Sequence, residues 1–165
     1  MTTARPTSSN RPRADLAQIA STLAADTKRW QPLVNYDPVS RYYARLAVET
    51  EYEAWLLTWL PGQGTDWHDH GGSAGAFRVL AGTLTERHAT IRRDGVVSAQ
   101  PGQRALSAGA LRPFGSRHVH RVTNDGLTPA VSLHVYAPAL TEMNTYRPQG
   151  QVLELVSAQL VGVNW

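Results

Sequence analysis

Residues 62–72 read GQGTDWHDHGG. This stretch decides the fold because it contains two histidines, His68 and His70, between closely spaced glycines. Positions i and i+2 of a β-strand face the same way, so the two imidazoles lie side by side while Asp69 faces away. The glycines allow tight turns, and Gly82 lies where the next turn would close a hairpin. Paired imidazoles on such a strand indicate a metal site, with an exposed polar face as the alternative.

A second pair of histidines follows about fifty residues later, at His118 and His120. The two residues are again two positions apart, so strand alternation alone does not say which of them would be a third metal ligand. Both remain candidates on this ground.

A third segment, residues 131–136, alternates strictly between apolar and polar side chains. One face of this strand carries Ser132, His134 and Tyr136, and the other carries valine and leucine side chains. Three polar groups on one face are costly to bury unless they bond to one another. The pattern predicts either a solvated outer face or a hydrogen-bonded relay that reaches into a cavity.

The rest of the chain is a series of short strand-like segments separated by Gly, Pro, Asn and Asp. The alternation predicts strands at 41–48, 51–60, 65–70, 74–80, 83–92, 96–99, 109–112, 117–124, 130–137 and 152–157. A helix is predicted from Asp15, which can cap it, to near Trp30. We therefore expect an all-β antiparallel sandwich or barrel with a short N-terminal helical segment. Residues 1–14 are predicted to be a disordered arm, and 15–165 a single domain.

Composition restricts the chemistry, because the 165 residues include six histidines and no cysteine. Disulfides, Fe–S clusters and cysteine-ligated zinc are excluded, so any metal must be held by His, Asp or Glu. The net charge of +3 comes with scattered arginines, and we expect no nucleic-acid partner. No stretch approaches the roughly 20 apolar residues of a membrane span, and no secretory signal is evident. The sequence predicts a cytoplasmic protein that is a monomer or a weak homo-oligomer.

Two of these segments together resemble a known family. Residues 62–82 resemble the first cupin motif, with Gly62, His68, His70 and Gly82 in place and Gly75 where the usual glutamate ligand stands. Residues 120–136 resemble the cysteine dioxygenase, or thiol dioxygenase, branch of the cupins. The resemblance implies a small antiparallel cupin (jelly-roll) barrel and places the iron ligands on His68, His70 and His120. His120 is preferred over His118 because it keeps the four-residue step to Asn124.

The resemblance also implies the other site residues. The family's serine–histidine–tyrosine relay falls on Ser132, His134 and Tyr136. Its substrate-binding arginine matches Arg45 within the segment Tyr43-Ala44-Arg45, and Arg121 and Arg147 are the other candidates. His88 is expected at the surface. Trp59 and Trp67 flank the metal segment and are expected in the core, with a place in a pocket wall as the alternative.

By resemblance, the protein is expected to be an Fe(II)-dependent dioxygenase that uses O2 to oxidise a small thiol carboxylate, L-cysteine first, to its sulfinic acid, in cysteine catabolism. The alternatives are 3-mercaptopropionate or ergothioneine as the thiol, a metal- or ligand-binding cupin without turnover, and a cupin enzyme of another reaction type. Animal members link a cysteine to the relay tyrosine; Gly75 stands in its place here, so Tyr136 would act as an unmodified phenol.

Overall fold

The computed structural model describes residues 15–160. Its helical part comprises α1 (Leu16–Ala25), α2 (Thr27–Trp30) and a 3-10 turn (Gln31–Leu33). The Asp15 side chain caps α1 by accepting a hydrogen bond from the Gln18 N–H, as predicted. The expected single helix is wrong in one respect, because Asp26 has φ −84° and ψ 74°, which interrupts it. No helix in this range is long and apolar enough to cross a membrane. The predicted disordered arm, residues 1–14, lies outside the described residues.

Twelve strands make up about half of residues 15–160. They are β1 (Tyr43–Val48), β2 (Glu53–Trp59), β3 (Trp67–Asp69), β4 (Ala74–Ala81), β5 (Thr83–Ile91), β6 (Val97–Ala99), β7 (Arg104–Ser107), β8 (Leu111–Phe114), β9 (Val119–Thr123), β10 (Ala130–Ala137), β11 (Glu142–Gln149) and β12 (Val152–Leu160). The ten predicted strands are all represented, with ends that differ by a few residues. The strands β7 and β11 were not predicted from the sequence.

The strands form two antiparallel sheets. One has the order β1-β2-β10-β4-β8, and the other has the order β6-β12-β11-β3-β9-β5-β7. A further pairing joins β6 to β5, so the second sheet curls back on itself. At Gly82, between β4 and β5, φ is +72°, and an added Cβ would lie 2.5 Å from the Pro129 carbonyl oxygen. The all-β, two-sheet fold with a short helical segment is confirmed.

The strand β10 is buried on both faces, so the relay residues lie inside the protein. Helix α1 covers the outer face of its sheet, where Leu133 and Val135 pack in a cluster with Ala20 and Leu23 of the helix. The inner face carries Ser132, His134 and Tyr136 toward the second sheet. A solvated outer face for these three polar residues is therefore excluded, since each is at most 6% exposed.

Candidate metal centre

Three histidines meet between the two sheets. His68 lies on β3 and His70 directly follows that strand, while His120 lies on β9 opposite His68 in the antiparallel register. One ring nitrogen from each residue can be chosen so that all three lie within 4.8 Å of one another. The ring centroids are 4.7–5.2 Å apart, and all three side chains are buried.

The ring nitrogens of these residues are arranged as metal ligands require. The Nδ1–H of His68 donates to the Asp66 carbonyl oxygen at 2.9 Å, and the Nδ1–H of His120 donates to Glu86 Oε1 at 2.9 Å. Each ring therefore keeps its Nε2 lone pair for a metal. His70 is 2% exposed, yet neither of its ring nitrogens has a hydrogen-bond partner among the described residues. A buried imidazole without partners is costly, and a bound cation would satisfy it.

The protonation of these histidines also suits a metal. Burial, followed by the neighbouring histidine His120, lowers the pKa of His68 well below its ordinary value, and burial followed by His68 does the same for the pKa of His70. Burial also lowers the pKa of His120, although Glu86 opposes this shift. All three rings are therefore neutral near pH 7, which is the form that binds a metal. The residues fit a divalent transition metal.

His118 takes a different position from His120. Its Nε2–H donates to Glu86 Oε1 at 2.9 Å, and its ring stacks on Phe114 with centroids 5.1 Å apart. The structure thus brings His120, and not His118, together with His68 and His70. Glu86, His118 and His120 form a second group that could geometrically hold a cation.

The three polar residues of β10 form a continuous hydrogen-bonded chain. Ser132 Oγ lies 2.8 Å from His134 Nε2, and Tyr136 Oη lies 3.3 Å from His134 Nδ1. Trp59 extends the chain, because its indole N–H donates to Ser132 Oγ at 2.9 Å. Burial lowers the pKa of His134 to about 3, so the ring is neutral, and burial raises the pKa of Tyr136, so the phenol is protonated.

The chain of hydrogen bonds has a direction. An indole N–H can only donate, so Ser132 Oγ is an acceptor toward Trp59. If His134 also donated to Ser132, the hydroxyl hydrogen of this buried serine would lack an acceptor among the described residues. Ser132 therefore donates to His134 Nε2, and the single N–H of the neutral ring, on Nδ1, donates to Tyr136 Oη. The Tyr136 hydroxyl hydrogen is left available to a bound molecule.

Two residues of the relay, His134 and Tyr136, and two of the three candidate metal ligands border one cavity, which we call the histidine cavity. Its lining residues are Arg41, Leu57, Trp59, Thr65, His68, His120, Val122, His134, Tyr136 and Met143. The Arg41 guanidinium carbon lies 5.0 Å above the Trp59 ring, and no described side chain is hydrogen-bonded to this group. A second narrow cavity, which Tyr43 and Trp55 help to line, shares Arg41, Leu57 and Tyr136 with it.

Arg45 is not brought to the histidine cavity. Its side chain is exposed, and the guanidinium carbon lies 4.7 Å above the Trp55 ring. Arg45 lies within β1 and pairs with Trp55 in β2, whereas Arg41 precedes β1 and reaches Trp59. Four residues of extended chain span about 13 Å, so Arg45 lies that much farther along the strand. Arg121 and Arg147 are exposed and line a different groove, on the outer side of β3 and β11.

Comparison with known proteins agrees with this geometry. Residues 10–149 match the model of the family described as cysteine dioxygenase type I. The chain belongs to this family. Cysteine dioxygenase type I proteins are thiol dioxygenases of the cupin superfamily, so the match indicates a dioxygenase and extends well beyond the segments quoted above, into the helices and β11.

Solved structures of low identity share the fold of this cysteine dioxygenase family member. The protein TT1209 of Thermus thermophilus is 24% identical, with a TM-score of 0.55 over 66% of this chain and 93% of that one. A conserved protein of Klebsiella pneumoniae with a double-stranded β-helix domain is 16% identical, with a TM-score of 0.52 over 77% and 93%. A cupin-superfamily sugar phosphate isomerase of Silicibacter pomeroyi is 16% identical, with a TM-score of 0.52 over 72% and 76%. These likenesses confirm the cupin barrel.

Gly75, which the sequence resemblance matches to the cross-linked cysteine of animal members, pairs directly with Tyr136 across β4 and β10. A Cβ added at Gly75 would overlap the Phe114 ring, 2.7 Å from its Cε2 atom, and would lie 2.9 Å from the Val135 carbonyl oxygen. Phe114 stacks on His70 with ring centroids 5.0 Å apart. Its phenyl ring therefore fills the space that the side chain of a cysteine or a glutamate would need.

Several site residues were missed in the sequence. Arg41 falls within the predicted strand 41–48 but was not considered as a substrate ligand, and the bond from Trp59 to Ser132 joins positions 73 residues apart. Trp59 is both core and cavity wall, whereas Trp67 packs with Val119 and Leu153 in a separate cluster. One weak feature of the sequence indicated that Glu86 is buried, because this residue shares a strand face with Leu84. His88, expected at the surface, is half-buried.

Proposed function

We propose that the protein is an iron thiol dioxygenase that oxidises L-cysteine, or a closely similar small thiol carboxylate, to the sulfinic acid. The reaction is RSH + O2 → RSO2H, in which sulfur is oxidised and both oxygen atoms are retained in the product. The observation that carries the proposal is the directed chain from Trp59 to Tyr136. It ends in the cavity that is lined by two of the candidate metal ligands, His68 and His120, and by Arg41.

The metal would be held by His68, His70 and His120 through their neutral imidazoles. When bound, Fe(II) supplies one centre with open positions at which a thiolate and dioxygen are activated together. The described residues contribute no carboxylate to this ligand set, because Glu86 is engaged by other donors and Asp69 faces away from the histidines. A metal held by these three neutral imidazoles would therefore keep its full charge, which would favour an anionic thiolate.

Tyr136 is proposed to orient the reacting molecules. Its hydroxyl accepts from His134 Nδ1 and has its own hydrogen available, so it can donate to an oxygen atom in the histidine cavity. Burial keeps the phenol protonated at neutral pH, because it raises the pKa of Tyr136. The role of Ser132 and His134 is to hold this hydroxyl in one orientation.

Arg41 is proposed to bind the substrate carboxylate, in place of the sequence-based choice, Arg45. Burial lowers the pKa of Arg41 from its ordinary value, but a guanidinium stays charged at neutral pH. Such a group binds a carboxylate through two parallel hydrogen bonds. Tyr43, on the adjoining cavity wall, is proposed to border the same substrate.

The size of the cavity favours a small thiol. The histidine cavity is small, with a volume of about 30 Å³, which is well below the range for pockets that hold drug-sized ligands. L-cysteine and 3-mercaptopropionate both place a carboxylate a few bonds from the sulfur, whereas ergothioneine is bulkier. The proposal therefore ranks the two small thiols above ergothioneine.

The proposal is tested by loading the full-length protein with Fe(II) without oxygen and then supplying O2 with L-cysteine, 3-mercaptopropionate, cysteamine or ergothioneine. We expect thiol-dependent O2 uptake that is greatest for L-cysteine, and much weaker for cysteamine, which lacks a carboxylate. With ¹⁸O2, mass spectrometry of the sulfinic acid should detect two heavy oxygen atoms. Absence of thiol-dependent O2 uptake with all four thiols would overturn the proposed function.

A further inference from the structure

Glu86 is a carboxylate with three donors behind the metal centre. Its side chain is 2% exposed. His118 Nε2–H and His120 Nδ1–H both donate to Oε1 at 2.9 Å, and Arg112 Nε–H donates to Oε2 at 2.7 Å. Burial alone would raise the pKa of Glu86, but the hydrogen bonds from the two histidines and the arginine bring it far below its ordinary value. The carboxylate is therefore ionised.

This cluster joins the two sheets at the third metal ligand. Glu86 lies on β5 and His120 on the neighbouring strand β9, both in the second sheet. Arg112 comes from β8, in the same sheet as the relay strand β10. The position of the His120 ring is thus tied, through one carboxylate, to the sheet that carries Tyr136.

The chemistry of the cluster argues against a second cation there. Both carboxylate oxygens already accept hydrogen bonds, and the Arg112 guanidinium places a permanent positive charge 2.7 Å from Oε2. The His120 nitrogen that faces the cluster is the donor Nδ1, and its other nitrogen serves the group formed with His68 and His70. Glu86, His118 and His120 are therefore a hydrogen-bonded support and not a competing metal site.

We propose that Glu86 is a positioning residue that fixes the His120 ring with Nδ1 protonated and Nε2 free to bind the metal, and that Arg112 and His118 hold Glu86 in place. This inference rests on the metal site of the proposed function, and not on the thiol reaction. A carboxylate behind a ligating histidine raises its basicity and limits its rotation, and removing such a partner typically weakens metal binding about 10–100-fold.

The test uses anaerobic titration of the full-length protein with Co²⁺, followed by its visible absorption spectrum. Wild type is expected to bind one equivalent. Glu86→Gln, which removes the charge but keeps the shape, is expected to bind one equivalent about 10–100-fold more weakly, with altered cobalt bands. Glu154→Gln, at an exposed position of β12, is the matched control and should behave as wild type. Wild-type affinity and spectrum in Glu86→Gln would overturn the proposal.

Two further variants keep the test decisive. His118→Gln retains a donor for Glu86, so this variant should bind one equivalent of Co²⁺ with an affinity within about threefold of wild type. If wild type binds two equivalents of Co²⁺ and this variant loses one of them, the proposal is overturned. If circular dichroism finds Glu86→Gln unfolded, Arg112→Met is tested in its place. Unchanged cobalt binding by Arg112→Met would then overturn the proposed positioning role of Glu86. If cobalt binding follows the expected pattern but no thiol-dependent O2 uptake is found, the proposed function is overturned, whereas the positioning role of Glu86 stands.

Discussion

The indole N–H of Trp59 donates a hydrogen bond to Ser132 Oγ across 2.9 Å, and this single contact sets the direction of the relay that ends at Tyr136. Because indole cannot accept, the donors in the chain are ordered from Trp59 through Ser132 and His134 to the tyrosine. A residue 73 positions upstream of Ser132 thus determines that the Tyr136 hydroxyl faces the cavity as a hydrogen-bond donor. The relay has four members and not three.

Trp59→Phe removes that donor while it keeps most of the ring. We expect a fall of about tenfold in the rate of thiol oxidation with little change in KM, because the Tyr136 hydroxyl loses its fixed orientation. The free energy of unfolding should fall by about 1–3 kcal/mol, since a buried hydrogen bond and some ring volume are lost. Trp67→Phe, in a separate cluster, is the control and should leave the rate unchanged. Equal rate losses in both variants would contradict the directional role.

Arg41 and Arg45 can be separated by matched substitutions. Arg41→Gln should raise KM for L-cysteine by about 10–100-fold, because a charge-assisted interaction with the carboxylate contributes about 1.5–3 kcal/mol. Cysteamine has no carboxylate, so its already weak oxidation should change little. Arg45→Gln, at an exposed side chain that lies over the buried Trp55 ring, should stay within about threefold of wild type. The reverse pattern would restore Arg45 as the substrate ligand.

His70 is predicted to reduce the stability of the metal-free protein. Its two ring nitrogens are buried without partners in the part of the chain that the structure describes, so His70→Leu should raise the free energy of unfolding of the metal-free protein by about 1–3 kcal/mol. The same variant should lose the upward shift in Tm that metal produces in wild type. Urea unfolding with a chelator, and thermal unfolding with and without Co²⁺, measure the two effects. A variant that is less stable without metal and still responds to it would contradict the assignment of His70 as a ligand.

The metal-free protein should lose stability steeply in weak acid. The pKa values of four buried histidines are lowered: His68, His70, His120 and His134, the last to about 3. Below about pH 6.5 the unfolded chain takes up protons on these rings and the folded chain does not, so the free energy of unfolding falls as pH falls. We expect a loss of about 1 kcal/mol per histidine between pH 7 and 5.5.

The loss described above is measured by urea unfolding of metal-free protein at several pH values. Glu86 has a lowered pKa, and its contribution is lost only below its unfolded value near 4.5, outside this range. The variant His70→Leu has one buried histidine fewer, so its pH dependence should be shallower by about a quarter. A flat profile between pH 7 and 5.5 would contradict neutral, buried histidines.

The sequence could predict this fold where side chains alternate strictly. The pattern of β10 placed Ser132, His134 and Tyr136 on one face, and the spacing of His68 and His70 placed both imidazoles together. The strand β11, Glu142–Gln149, was missed because its polar side chains and Pro148 carry no alternation; its pairing with β3 and β12 stabilises it. Alternation gives the face of a residue but not its place along the strand, so it could not distinguish Arg41 from Arg45.

Gly75 provides the last prediction, because its missing side chain and Phe114 occupy the same space. Gly75→Ala adds a Cβ 2.7 Å from Phe114 Cε2, so we expect a loss of about 1–3 kcal/mol in the free energy of unfolding. Phe114→Leu opens that space. The loss in the free energy of unfolding of the double variant should therefore be smaller than the sum of the losses in the two single variants. Recovery should be partial, since the Val135 carbonyl oxygen still lies 2.9 Å from the new Cβ. Urea unfolding of all four proteins measures the coupling. Strictly additive losses would mean that the phenyl ring does not set the requirement for glycine opposite Tyr136.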